Sequence, residues 1–253
     1  KDLAAMLERI RSATGVAVLV IPQAQEGAYG YLGARQLLGT ALETSHVLDI
    51  GGGSLQIAGA QSSFGEMLGQ KVWHRHLCQE IRNAESAPCS LQPMTSDELA
   101  IARALLVEKL KDLGVALPGP ISMTAISRPV SRGVLPALLK LSGETDGRKR
   151  FSRLELTIAI ERLARLSMAE TAAHLGGSTG HMAWLLSDML LVEGLLLATG
   201  GETLAVAEID LTNVPGLLAD DRAYVWRQHY GCYLDRLRGQ GIDAYASDPA
   251  TCP

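Results

Sequence analysis

The chain has 253 residues, 47% of them hydrophobic, and a formal net charge of −4. That is apolar material for one large core or two modest ones, and nothing in it resembles a disordered polyelectrolyte. Its 23 lysines and arginines are scattered, so the basic stripe of a nucleic-acid binder is missing, and a phosphate-rich ligand has to be held by local geometry. The longest strongly apolar stretch, residues 182–199, contains Ser187, Asp188 and Glu193; it reads as a buried helix rather than a membrane span.

Taken in order, the chain opens at Lys1 inside the amphipathic pattern KDLAAMLERI, with Leu3, Met6, Leu7 and Ile10 on one helical face. With no initial methionine it reads as a fragment or a processed chain, in which a leader segment would not be visible. The apolar run 16–21, ahead of Pro22, reads as a buried strand, and residues 26–38 as a helix. Residues 46–50 and 55–60 form two strands joined by Gly51, Gly52 and Gly53 as a hairpin. A third strand is expected over 70–77, where His74 and His76 would share a face; without a carboxylate nearby they read as a surface pair. Thr95, Ser96, Asp97 and Glu98 make a capped helix start running to Leu113.

Further on, 121–126 is a strand candidate, 134–141 a helix and 142–150 a polar loop; the basic run 147–153 reads as solvated loop ahead of a helix. Helices follow over 153–166, 168–175 and 180–199, with a closing strand at 203–209. Tyr224, Trp226 and Tyr230 stand at helical spacing and should pack the tail against the body. The order, a hairpin-rich start followed by helices and late strands, is that of an α/β chain. Cys78 with Cys89 and Cys232 with Cys252 lack the CxxC spacing of zinc or thioredoxin-type sites. Two local disulfides in an oxidising compartment and four reduced, partly buried thiols in a cytoplasm both fit.

Two segments carry chemistry. In VLDIGGGSLQI, glycines at 51–53 let consecutive amide donors approach phosphate oxygens, and Asp49 at the strand end can orient a metal ion or water beside them. The segment lacks the GK[ST] of a P-loop and no helix clearly follows it, so neither Walker-type nor Rossmann binding fits; a tight hairpin without a ligand does. In IPQAQEGAYGYLGA, Glu26 follows a proline-containing loop and precedes Gly27, Ala28, Gly30 and Gly33. It is either a catalytic carboxylate among small residues or an ordinary first-turn glutamate favoured by the helix dipole.

Together, EGAYGYLGA followed by VLDIGGGSLQI resembles the Ppx/GppA family of exopolyphosphatases and guanosine pentaphosphate phosphohydrolases. In that family E-[AG]-R-x-x-[YF]-x-[AG] precedes D-x-G-G-G-S-T-E in the same order and at similar spacing. Residues 151–175 resemble its paired helices and 190–206 its long helix leading into the last strand. The likeness covers roughly residues 1–218 and is strongest in the first quarter.

The resemblance implies an actin-like, ribonuclease H-like α/β fold with a mixed sheet flanked by helices. It implies removal of a terminal phosphate from polyphosphate or guanosine pentaphosphate, with Mg2+, in a cleft between two domains. Glu26 would be the base for the attacking water, Gly51, Gly52, Gly53 and Ser54 the phosphate cradle, and Asp49, with Gln56 as a weak second, the metal ligand. Three positions depart from the family pattern: Ala28 replaces its arginine, Leu55 its threonine and Gln56 its acid. A later glycine-rich segment should fall near 123–130, which has no glycine.

The expected division is 1–37 as the trailing part of a first actin-like domain whose D-x-G-S-N-S loop would precede Lys1, 38–218 as the second domain and 219–253 as a C-terminal tail. The expected function is phosphoanhydride hydrolysis, the alternative a non-hydrolytic relative that binds a phosphorylated ligand or a partner. Expected partners are polyphosphate or guanosine pentaphosphate, with pairing to a second copy left open, and with no nucleic acid and no membrane. The cytoplasm is the implied location, or the periplasm if the cysteine pairs are disulfides.

Overall fold

The structure, a computed structural model, describes residues 2–112, 119–144, 147–209 and 213–252. Its spine is a mixed six-stranded sheet built from β1 (His46–Ile50), β2 (Leu55–Gly59), β3 (Ser63–Glu66), β4 (Met123–Ala125), β5 (Arg150–Ser152) and β6 (Thr203–Val206), in the order β3-β2-β1-β4-β6-β5. The expected hairpin is present: β1 and β2 pair antiparallel with Val47 opposite Ala58 and Asp49 opposite Gln56. β1 pairs parallel with β4 and β4 parallel with β6, while β3 and β5 close the two edges antiparallel.

Alternation along the hairpin sends Leu48, Ile50, Leu55 and Ile57 to one face and Val47, Asp49, Gln56 and Ala58 to the other. The first face carries the main core, covered by α3 (Gln70–Arg82), α4 (Ser96–Asp112), α6 (Arg153–Ala164) and α9 (Leu185–Ala198). Every residue of α9 from Leu185 to Leu196 is buried, as a helix apolar all round must be. Of its two buried carboxyl groups, Asp188 and Glu193, Glu193 takes a two-pronged contact from Arg103 at 2.8 and 2.9 Å and a bond from the Thr157 hydroxyl at 2.6 Å. Removing Arg103 would strand that charge, at a cost of about 3–5 kcal/mol.

The second face is covered by α2 (Gln23–Leu38), where Tyr31 and Ala34 meet Val47 and Ala58, with α10 (Asn213–Leu218) packed on α2. Beyond it, α1 (Leu3–Thr14) contributes Ala4 and Leu7 to a separate cluster with Tyr29, Trp226, Tyr230 and Tyr233, drawn from α2, α11 (Arg222–Gln228) and α12 (Tyr230–Gln240). Trp226 and Tyr230 are buried there, while Tyr224 is 60% exposed. No helix among the described residues is long and apolar enough to cross a membrane.

Several expectations need correction. Residues 70–77 are not a strand but the start of α3: Trp73, His74, Leu77 and Cys78 are its buried positions, a helical recurrence. The third strand is instead SFGE at 63–66, which carries little apolar patterning. His74 and His76 therefore do not share a face. His74 is wholly buried, bonded to the Ser187 hydroxyl at 3.0 Å, and desolvation pushes its imidazole down to about 4. His76 is half-buried against the Trp73 ring.

Residues 16–21 are extended but pair with no strand among the described residues. Their backbone is held by α12, with the Val20 N–H donating to the Tyr233 hydroxyl at 2.8 Å and the Tyr230 hydroxyl donating to the Val18 carbonyl at 3.0 Å. A short edge strand, β5, begins at Arg150 inside the stretch read as polar loop, because the single apolar residue Phe151 is buried against the sheet. The last strand ends at Val206, and the helix expected over 180–199 is two, α8 (Thr179–Met182) and α9. The expected helix end at Leu113 lies outside the described residues. Both cysteine pairs are bridged, Cys78 to Cys89 and Cys232 to Cys252.

Candidate functional site

The glycine turn is braced from behind. The N–H groups of Gly69, Gln70 and Lys71, at the start of α3, donate to the carbonyls of Gly53, Gly51 and Gly52 at 3.0, 2.9 and 2.8 Å. In a trans peptide the N–H points opposite to the C=O that precedes it, so tying these carbonyls to α3 turns the N–H groups of Gly52 and Gly53 away from it. Neither amide meets an acceptor among the described residues, and both residues are exposed.

Neither glycine is demanded by the protein itself. Gly52 and Gly53 do not have a positive φ, and an added Cβ would come no closer than 3.6 Å to the Lys71 methylenes at Gly52 or 3.8 Å to Met67 at Gly53. What the missing side chains preserve is open space in front of two free donors. The Lys71 stem lies along Gly52, exposed and without an ion pair among the described residues, which adds a cation to that space.

The acidic part sits on the sheet face under α2. Helix and hairpin come together at Gly27, where a Cβ would stand 2.8 Å from the Ser63 hydroxyl and 3.0 Å from the Gln56 Cβ; only glycine permits that approach. Glu26, in the first turn, is thereby held over Gln56, whose amide nitrogen lies 3.2 Å from Glu26 Oε2 and 3.1 Å from the Ser54 hydroxyl and also faces Gln23 Oε1. Three acceptors around one nitrogen fix which way this amide points. The Asn213 amide reaches the other oxygen, Oε1, at 3.4 Å.

Asp49 stands opposite Gln56 across the hairpin. Burial, and after it the charge of Glu26, raises Asp49 to about 6; burial also raises Glu26. Neither carboxylate is ion-paired among the described residues. Two partly desolvated carboxylates, Asp49 raised further by the charge of Glu26, with hydroxyl and amide oxygens near them, are a hard-oxygen donor set short of positive charge, which suits Mg2+.

Thus Glu26, Asp49, Ser54 and Gln56 converge, and Gly51 to Gly53 adjoin them as the turn of the same hairpin. Sequence reasoning missed Lys71, Gln23 and Asn213. A signal existed for Lys71, because a lysine in the first turn of a helix opposes the helix dipole, but it is legible only once 70–82 is read as a helix. Gln23 and Asn213 arrive through packing and left no local trace. The basic run 147–153 takes no part: Arg148 pairs with Glu144 and Glu155, and Arg153 with Glu202.

A cavity of about 770 Å3 lies on the α9 side of the glycine turn, between residues 128–140, the 175–182 segment and α9. Gln70 links the two regions, since its N–H braces Gly51 and its side-chain amide donates to Asp188 Oδ2 on the cavity wall. The other Asp188 oxygen is buried without a partner among the described residues, and desolvation raises this carboxyl to about 7.

The fold has counterparts among solved structures. The crystal structure of the Aquifex aeolicus Ppx/GppA family member is 17% identical and matches with a TM-score of 0.59 over 90% of this chain and 71% of that one. An exopolyphosphatase from Cytophaga hutchinsonii is 18% identical, with a TM-score of 0.54 over 89% and 70%. The mixed sheet flanked by helices is the actin-like α/β fold of these structures. An uncharacterized protein of Streptomyces coelicolor is 27% identical over 210 residues, 79% of this chain and 60% of that protein, so the chain spans about 60% of that relative's length. The family model of the Ppx/GppA phosphatases matches residues 4–178. With the glutamate, the aspartate and the braced glycine turn all inside that span, the chain belongs to the Ppx/GppA phosphatase family.

Proposed function

We propose that this chain supplies one wall of a site that removes a terminal phosphate from a phosphoanhydride, polyphosphate or guanosine pentaphosphate. The observation that carries the reading is the pair Gly52 and Gly53, whose free amides face outward from a braced turn and whose missing side chains serve nothing within the protein. In this reading those amides and the Lys71 ammonium hold phosphate oxygens. Glu26, raised by burial toward the working pH, accepts the proton of the attacking water. Asp49, with the Ser54 hydroxyl that meets the Gln56 amide opposite it, would hold Mg2+, which when bound supplies charge neutralisation at the phosphate.

Phosphoryl transfer depends on positioning and charge neutralisation more than on covalent chemistry, and a single turn leaves one side of the phosphate open to water. The opposing wall in this reading is a first actin-like domain to which residues 1–37 belong. The test is phosphate release from polyphosphate and from guanosine pentaphosphate by the full natural chain, with and without Mg2+. Metal-dependent release abolished by Asp49→Ala supports the proposal; no release from either compound defeats it. One observation favours a second reading, a ligand binder without turnover: the Gln56 amide already donates to Glu26, where the family pattern has an acid. Tight phosphate-ligand binding with no release would select it.

A further inference from the structure

Away from that site, His74, Cys78 and Cys89 bring an imidazole nitrogen and two sulfurs within 4.8 Å of one another. His74 and Cys78 are four residues apart on the buried face of α3, and Cys89 approaches from the loop between α3 and α4, half-buried where the other two are enclosed. The ring's orientation is set by its surroundings. The Ser187 hydroxyl donates to the Trp184 carbonyl at 2.8 Å, so its proton is committed, and it accepts from His74 Nδ1 at 3.0 Å. Nε2 is then the unprotonated nitrogen, and it receives the Cys89 N–H at 3.3 Å. The Trp184 ring packs against the imidazole at 4.5 Å. An imidazole whose Nδ1–H is tied to a hydroxyl while Nε2 faces two sulfurs has the arrangement of a histidine ligand with its outer-shell partner.

We propose that the reduced chain binds a thiolate-preferring divalent cation of the Zn2+ type through His74 Nε2, Cys78 Sγ and Cys89 Sγ, and that the Cys78–Cys89 disulfide is the oxidised, metal-free state of the same site. A dithiol reductant opens it: the dithiol is oxidised to its own disulfide, and its two electrons and two protons convert the S–S bond into two thiols. Metal binding then forms two metal–sulfur bonds and one metal–nitrogen bond, the last replacing the Cys89 N–H contact at Nε2 while that N–H keeps Cys78 Sγ as acceptor, and releases the two thiol protons to solvent. The divalent charge is matched by two thiolates, so the enclosed site carries no net charge. A donor set of two sulfurs and one imidazole selects Zn2+ over Mg2+ or Ca2+, and three protein ligands leave a position for water or an exogenous ligand. Cys89, on the loop and partly exposed, is where reductant and metal reach the site.

The test uses the chain carrying Cys232→Ser and Cys252→Ser, so that reduction opens only this pair. It is reduced with a phosphine, which becomes a phosphine oxide as water supplies the oxygen and the thiol protons, and is then titrated with Co2+ and afterwards with Zn2+. The expected result is a thiolate-to-cobalt charge-transfer band with tetrahedral ligand-field bands, saturating at a single ion per chain and lost on adding Zn2+. Cys78→Ser should abolish the charge-transfer band. His74→Gln should weaken binding; if that buried substitution prevents folding, Ser187→Ala, which removes no ligand, should still weaken binding about tenfold. Absence of the band in the reduced chain, an unchanged affinity in both His74→Gln and Ser187→Ala, or equal binding by the disulfide form would overturn the proposal.

Discussion

The Gln56 amide donates to the Glu26 carboxylate across 3.2 Å, joining the second strand of the hairpin to the first turn of α2. A neutral donor thus stands at the centre of a cluster whose two carboxylates carry no counter-charge. Gln56 is only 4% exposed, so changing its charge acts in a weakly screened environment.

Gln56→Glu should convert that bond into a repulsion among Glu26, Asp49 and a third carboxylate. Without divalent cations the variant is expected to lose about 1–3 kcal/mol of stability, the scale of an unmade buried polar contact. Mg2+ should restore more of its melting temperature than it adds to the wild type. Melting curves with and without Mg2+ decide this, and an equal Mg2+ response in the two proteins would remove the cation from the cluster.

Glu26→Gln keeps the shape of the side chain and removes its basicity. In the full natural chain, turnover of the hydrolysed phosphoanhydride should fall about a hundredfold or more, the scale of a lost general base, while ligand affinity measured by titration stays near the wild-type value. Undiminished phosphate release by this variant would exclude Glu26 as the base.

Two alanine substitutions separate folding from binding at the turn. At Gly69 a Cβ would stand 2.5 Å from the Gly51 carbonyl oxygen and the Ser54 nitrogen. Backbone would have to move, and Gly69→Ala should cost about 1–3 kcal/mol, as overpacking does. At Gly53 the nearest atom is the Met67 methyl at 3.8 Å, so Gly53→Ala should stay within about 0.5 kcal/mol of the wild type yet weaken tripolyphosphate binding. Calorimetric titration with full retention of affinity in Gly53→Ala would show that the turn does not hold phosphate.

Asp188 predicts the pH dependence of stability. Burial raises its carboxyl from 3.8 to about 7, so the folded chain binds this proton more tightly than the unfolded chain does. Its burial carries no penalty below the unfolded value, and stability falls as the pH rises from 3.8 to about 7. At about 1.4 kcal/mol per pKa unit the full effect amounts to a few kcal/mol. Asp188→Asn, whose amide oxygen can still accept from Gln70, should flatten this slope and raise the melting temperature at about pH 8 more than at about pH 5. Parallel slopes in the two proteins would assign the pH dependence elsewhere.

The parts of this protein written locally were legible in the sequence. Short apolar runs on both sides of three glycines were enough to mark the β1–β2 hairpin, and the small residues after Glu26 marked a place of close approach; the register that sets Asp49 opposite Gln56 came from the structure. Other features were decided by partners distant along the chain. Residues 70–77 read as a strand from the sequence, and the burial of Trp73, His74, Leu77 and Cys78 against α4 and α9 made them a helix. The three-residue β5 exists because β6 offers it backbone partners, whereas residues 16–21, with stronger β character, pair with tyrosine hydroxyls of α12 instead. Cysteine pairing, the bracing of the glycine carbonyls by α3 and the approach of Lys71 and Asn213 to the site likewise needed the tertiary structure. Periodicity reports only which side of an element is apolar; which element covers that side, and which polar groups are carried along with it, is set by packing between segments far apart in the chain.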